Sequence, residues 1–157
     1  MLEARRLDVV EPLFGLQAAG RLLTEECAPW IQDLGLLIEA VEAGRPPGAQ
    51  PDWQPGAVLR LPFSQQACRN GGAVCGPVLA ALADTAMVIA CAAAWNGYRA
   101  MAPIDQTMHF LRPANFDVVA DARVVRIGRS TSFGRVMLYS AVDKRPVGMV
   151  ASAYAMV

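Results

Sequence analysis

One carboxylate stands alone in the longest apolar run of this chain. Asp84 is the sole charge between positions 72 and 95, within Leu79-Ala80-Ala81-Leu82-Ala83-Asp84-Thr85-Ala86-Met87-Val88. An acid left dry and unpaired there costs several kcal/mol, so it requires a partner, a proton or a wet cleft. Such a group is either a functional acid or a structural carboxylate bonded to buried backbone donors, and perturbed acids occur in both roles. Cys75 precedes the run, where a helix N-terminus would favour a thiolate nucleophile. The preferred reading of Cys75 is a small apolar filler, since cysteine is among the most often buried residues. His109, the one histidine of the chain, lies in a strand beside Phe110 and reads as a satisfied sheet residue. With His109 as the only base of its kind, most Ser/His/Asp and Cys/His arrangements are removed.

The element that must position Asp84 is a helix. Proline is tolerated at the first helical position because its missing N–H would be unpaired there anyway, so Pro77 marks the start and Gly76 frees the backbone before it. Alanine, leucine and methionine then favour helix up to Trp95, and Asn96-Gly97 supplies the stop. No face of the run is polar, which predicts a helix covered on all sides. The run is about long enough to span a bilayer, but a central Asp and the presence of a single such segment argue against that reading.

Length and composition bound the rest. A chain of 157 residues with 54% hydrophobic content is a single domain able to bury a sizeable core. Cys27, Cys68, Cys75 and Cys91 have no C-x-x-C spacing, and with one histidine in the chain a zinc site of the usual ligand sets is not expected. A reduced, cytoplasmic protein is expected. Fourteen basic and fourteen acidic residues cancel, so no bulk affinity for nucleic acid or membrane is implied. The first residues carry no continuous apolar signal core.

Along the chain, residues 13–27 show apolar side chains at helical spacing, and Pro29 should stop or re-aim that covering helix. Residues 30–35 read as a transition, and 36–43 suit helix or strand equally. The stretch 44–56, with Gly44, Pro46, Pro47, Gly48, Pro51, Pro55 and Gly56, is a loop. Residues 57–63 form a short strand ending near Pro62. After the helix come four strands, 104–111, 118–127, 132–142 and 147–157, joined by short turns and hence antiparallel. The economical arrangement is α+β: five to six antiparallel strands curled around one long buried helix.

That order resembles the hotdog fold, and three segments resemble its acyl-CoA thioesterases of the phenylacetyl-CoA thioesterase (PaaI-like) branch. They are Ala28-Pro29-Trp30-Ile31-Gln32-Asp33-Leu34-Gly35-Leu36, the stretch 72–86, and His109-Phe110-Leu111-Arg112-Pro113-Ala114 with Val125-Arg126-Ile127-Gly128-Arg129-Ser130-Thr131 downstream. The first tips 36–43 towards strand. The resemblance covers most of 28–157, read as the hotdog domain, and leaves outside it an N-terminal helical extension at 1–27 and the insertion at 44–56. Where the family commonly has His-Gly-Gly, this chain has Cys75-Gly76-Pro77.

The resemblance implies hydrolysis of an acyl-CoA thioester, with the Gly76 N–H polarising the thioester oxygen and Asp84 acting as general base or nucleophile. Asn70 is the candidate for the amide that family members carry upstream, at an offset one residue shorter. Arg129-Ser130-Thr131, with Arg112, resembles the nucleotide-end contact, as guanidinium groups and hydroxyls suit phosphate oxygens. Val88 belongs to a stripe that is core or the wall of an acyl tunnel. Two turns of helix separate Gly76 from Asp84, so the resemblance implies a homo-oligomer, a dimer or a dimer of dimers, whose site spans a twofold interface. No metal or organic cofactor is expected. A non-catalytic acyl-CoA binder or regulator is the alternative from a different class, and a hotdog hydratase a weaker one.

Overall fold

The computed structural model describes residues 13–157, so the first twelve residues of the expected N-terminal extension lie outside the described residues. The remainder of that extension forms α1 (Leu16–Glu25), which buries Ala19 and Leu22 on one face. Residues 30–35 are more ordered than a transition. Pro29 opens a helical turn, α2 (Pro29–Gln32), because the first helical position is where a missing N–H leaves no bond unmade.

The chain continues through β1 (Leu37–Glu42), the 44–56 loop and β2 (Gly56–Leu61). Gly56 closes that loop against β4 (Val118–Ile127), since a Cβ there would lie 2.2 Å from the Ala122 carbonyl oxygen. A 3₁₀ turn at Gln65–Ala67 leads to α3 (Gly76–Trp95), the long helix. Asn96 ends it in the left-handed conformation at φ 56, and the Gly97 N–H returns to the Ala92 carbonyl at 2.8 Å. Such a cap satisfies carbonyls that the last turn leaves open.

The strand β3 (Met101–Phe110) starts earlier than expected because Pro103 lies within it. Among the described residues its partner is β6 (Pro146–Met156) alone, and next to Pro103 the register slips. Proline is acceptable on an edge strand where its missing donor would face outward. Between them in sequence run β4 and β5 (Thr131–Ser140), which ends two residues before the expected 142. There the Ser140 hydroxyl accepts the Val142 and Asp143 N–H groups at 3.2 and 3.3 Å and turns the chain.

All six strands form one antiparallel sheet in the order β1-β2-β4-β5-β6-β3. Its inner face, with Leu59, Leu61, Val118, Val136, Leu138 and Tyr154 buried, covers α3. Alanine at 83, 86, 90, 92 and 93 on the helix and at 57, 120 and 122 on the sheet lets the two layers approach closely. The helix is long and apolar enough to cross a membrane, yet here it is the core element of the sheet. On the outer face Arg60 pairs with Glu39, and Arg123 with Glu42 and, at 2.6 Å, Asp121.

Candidate active site

The sheet does not cover α3 completely. Leu82, Ala83, Thr85, Ala86, Met87 and Ile89 are buried, whereas Ala80, Ala81, Asp84 and Val88 are only half-buried. Residues three or four apart share one helix face, so these four form an open stripe, and it carries the helix's only charge. The expectation of a helix covered on all sides therefore fails on this face.

Asp84 has a specific partner there. Tyr154 projects from the inward face of β6, next to Val150 and Ser152, and its hydroxyl donates to Asp84 Oδ1 at 2.6 Å. Burial first, then the charge of Asp84 and the bond to it, push the Tyr154 phenol far above its ordinary 10.0. Its hydroxyl is thus held in the protonated form that donates to the carboxylate. Ser152 Oγ is buried without a hydrogen-bond partner among the described residues, although it sits near enough to Tyr154 to oppose that rise.

Asp84 lines a cavity of about 580 Å³. Leu22, Trp30 and Ile31 of α1 and α2 form one wall, and Val88 of α3 with Met101 and Gln106 of β3 form another. Gln106 Nε2 donates to the Ala80 carbonyl at 3.1 Å, tying the edge strand to the helix beside the cavity. The Cys27 thiol faces the same space, and its pKa is raised by burial, then by Asp84 and Glu26.

The start of α3 lines a second cavity of about 360 Å³, with Arg69, Gly76, Phe110 and Arg112 in its wall. The turn before the helix consumes its own donors. Val74 N–H goes to the Ala114 carbonyl at 2.8 Å and Cys75 N–H to that of Ala67 at 2.9 Å. Gly76 N–H has no acceptor among the described residues. A Cβ on Gly76 would sit 3.2 Å from the Phe110 ring, so glycine is what lets the ring close over this turn. Arg112 Nε is buried without a hydrogen-bond partner among the described residues.

Of the residues singled out in the sequence, Asp84 and Val88 share one cavity, and Gly76 and Arg112 the other. Asn70, Cys75, Arg129, Ser130 and Thr131 line neither. Asn70 is exposed on a turn closed by the bond from the Arg69 N–H to the Ala73 carbonyl, and Arg129 and Ser130 are exposed at the β4–β5 turn. Sequence reasoning missed Tyr154, Gln106 and the wall from α1 and α2. Tyr154 had a signal: a tyrosine on the buried face of a strand needs a partner for its hydroxyl, and the core helix offers one charged acceptor. Among the described residues no three His, Cys, Asp or Glu side chains converge as metal ligands would.

Residues 71–147 match the family model of the thioesterase superfamily. With its single antiparallel sheet wrapped on one long helix, the chain has the hotdog fold, and the matched stretch, just under half of its length, is similar to that superfamily. The Escherichia coli PaaI protein, from the phenylacetic acid degradation operon, has a similar structure. Its TM-score is 0.71 at 22% identity, over 90% of this chain and 91% of that one. A Pseudomonas aeruginosa protein superposes with TM-score 0.73 at 25% identity, over 90% of this chain and 98% of the other. A Halobacterium salinarum protein, provisionally named an esterase, is 34% identical over 90 residues, 54% of this chain. The chain spans 60% of that curated relative's length.

Proposed function

We propose that this protein hydrolyses an acyl-CoA thioester to the free acid and CoA. The observation that carries the reading is Asp84, a single carboxylate on an otherwise apolar helix, held by one donor and facing a cavity large enough for a small-molecule acyl group. As general base, Asp84 takes a proton from water while the water oxygen attacks the thioester carbonyl carbon. As nucleophile, it forms an acyl anhydride that water then opens. In both routes the carbonyl oxygen becomes negative, and the free Gly76 N–H, at the positive end of the helix dipole, is the donor for it. The carbon–sulfur bond breaks, and the leaving thiolate takes up a proton.

Gly76 and Asp84 are separated along α3 by a rise of about 12 Å, too far for one carbonyl. The second copy supplies the missing half. One side of β3 pairs with β6, and its other side is open while Ile104 and Phe110 are 59% and 57% exposed. An antiparallel twofold pairing centred on β3 sets Phe110, beside Gly76, against Met101 of the partner subunit, beside the Asp84 cavity. Each site then takes its oxyanion donor from one subunit and its acid from the other. Arg112, with Arg69, is the group for the phosphates at the Gly76 end, and Arg129, Ser130 and Thr131 are the further nucleotide contact. The proposed setting is the cytoplasm, without metal or organic cofactor, and free thiols at Cys27, Cys68, Cys75 and Cys91 suit a reducing compartment.

The test is thiol release over short, long and aromatic acyl-CoAs, with Asp84→Asn as the control. Release that depends on Asp84 supports the hydrolase. Tight acyl-CoA binding with no thiol released from any of them would replace it with a binding module.

A further inference from the structure

The cavity around Asp84 has an unbalanced charge. Two carboxylates line it, Asp84 from α3 and Glu26 from the link between α1 and α2, and among the described residues no arginine, lysine or histidine does. The rest of the wall is largely apolar, with Leu22 and Ile31 buried at 4% and 8% exposure and Trp30 at the rim. Two ionisable groups, Cys27 and Tyr98, share the wall with these carboxylates. Both Cys27 and Tyr98 are pushed upward, by burial first and then by nearby charges that include Glu26 in each case. The Gly76 cavity has the opposite character, holding Arg69 and Arg112. A CoA thioester is polarised in the same sense when its polyanionic nucleotide lies at the Gly76 end and its acyl group at the Asp84 end.

We infer that the Asp84 cavity accepts uncharged apolar acyl groups and rejects acyl groups that end in a carboxylate, and that Glu26 is the residue enforcing this choice. The inference rests on the hydrolase reading for the orientation of the substrate. Its physical basis is independent of the chemistry. A third carboxylate brought near two others, in a half-buried space that the described residues of the same subunit line with no cation, is repelled by both and loses its hydration. An alkyl chain meets Leu22, Ile31, Val88 and Met101 instead and gains by leaving water. Glu26 lies just beyond α1, outside 71–147, so the selectivity is written in the N-terminal covering segment.

The experiment compares hexanoyl-CoA with adipoyl-CoA, which has the same carbon count and a terminal carboxylate, in the wild type and in Glu26→Gln and Glu26→Arg. Glu26 is exposed, so both variants should fold, and unchanged melting temperatures check this. Expected is a preference for hexanoyl-CoA of at least about tenfold in kcat/KM, the size of one like-charge contact near a protein surface together with lost hydration. Glu26→Arg should raise the adipoyl-CoA to hexanoyl-CoA ratio of kcat/KM by at least about tenfold. In parallel, calorimetry with the thioether analogues hexyl-CoA and 5-carboxypentyl-CoA reads the same preference without hydrolysis. Equal turnover of both thioesters overturns the selectivity and leaves the hydrolase standing. Preferential binding of hexyl-CoA, weakened in favour of 5-carboxypentyl-CoA by Glu26→Arg, with no turnover of either thioester, keeps the selectivity and removes the hydrolase. An unchanged ratio in Glu26→Arg overturns the role of Glu26.

Discussion

Tyr154 donates its hydroxyl hydrogen to Asp84 across 2.6 Å, joining the last strand to the central helix over seventy positions of sequence. The phenol cannot take the proton's place as a base, because burial and the adjacent carboxylate hold it protonated. Its effect is to fix one oxygen of Asp84 and leave the other free to face the cavity.

Replacing Tyr154 by Phe should therefore act on the chemical step. A hydrogen bond to a charged group contributes about 1.5–3 kcal/mol, so kcat should fall about 10- to 100-fold while KM changes little. A role in packing alone would lower both in proportion to folded protein. The same substitution has an alkaline signature. The folded-state value of Tyr154 lies above its unfolded 10.0, so its contribution to stability is complete below pH 10 and is lost as pH rises beyond it. Urea unfolding at pH 9 and 11 should show a smaller alkaline loss in Tyr154→Phe than in the wild type.

Asp84→Asn retains shape and removes charge and basicity. Hydrolysis should drop by about 10² to 10⁴-fold, with acyl-CoA binding and melting temperature near wild type. If instead stability falls by roughly 1–3 kcal/mol and turnover falls only with the folded fraction, Asp84 is structural.

The arginines divide by position. Arg112 belongs to the Gly76 cavity and Arg129 to an exposed turn, and either contact to phosphate would persist equally in ground and transition states. Arg129→Ala and Arg112→Ala should each raise KM for acyl-CoA with kcat nearly unchanged. An acyl-pantetheine substrate, which lacks the nucleotide, should be indifferent to both. Loss of activity against that truncated substrate would count against the assignment.

The open edge of β3 predicts assembly. A lysine at Ile104 places a charge on the strand side where a second copy would pair, a device that natural edge strands use to stay single. Light scattering should find the wild type at dimer mass or above and Ile104→Lys shifted to monomer with its activity lost. A monomeric Ile104→Lys with wild-type turnover would sink the composite site.

Much of this was legible in the sequence because it is local. The start of α3 at Gly76-Pro77, its stop at Asn96-Gly97 and its isolated acid follow from the φ restriction of proline, the left-handed tolerance of asparagine and the cost of a dry charge. The strands were read from β-branched runs between turn residues, and the antiparallel sheet from the shortness of those turns. Residue type and spacing single out Asp84, Gly76, Val88 and Arg112, and each lines a cavity, whereas Asn70, Cys75, Arg129, Ser130 and Thr131, singled out in the same way, line neither of the two.

What lay outside the sequence is what depends on distant neighbours. Hydropathy does not distinguish a covered alanine from an open one, so the stripe through Ala80, Ala81, Asp84 and Val88 had no periodic signature until the sheet packed on the other faces. Pro103 reads as a strand breaker unless β3 is known to be an edge, and only the strand order makes it one. The β4–β5 turn and the Asn70 turn are recognisable as turns, but their distance from Asp84 is set by how the sheet curls. The chain by itself determined that one acid would sit in an apolar helix. The tertiary structure decided that the acid would meet Tyr154, since a contact between residues seventy apart exists only once the sheet has closed on the helix.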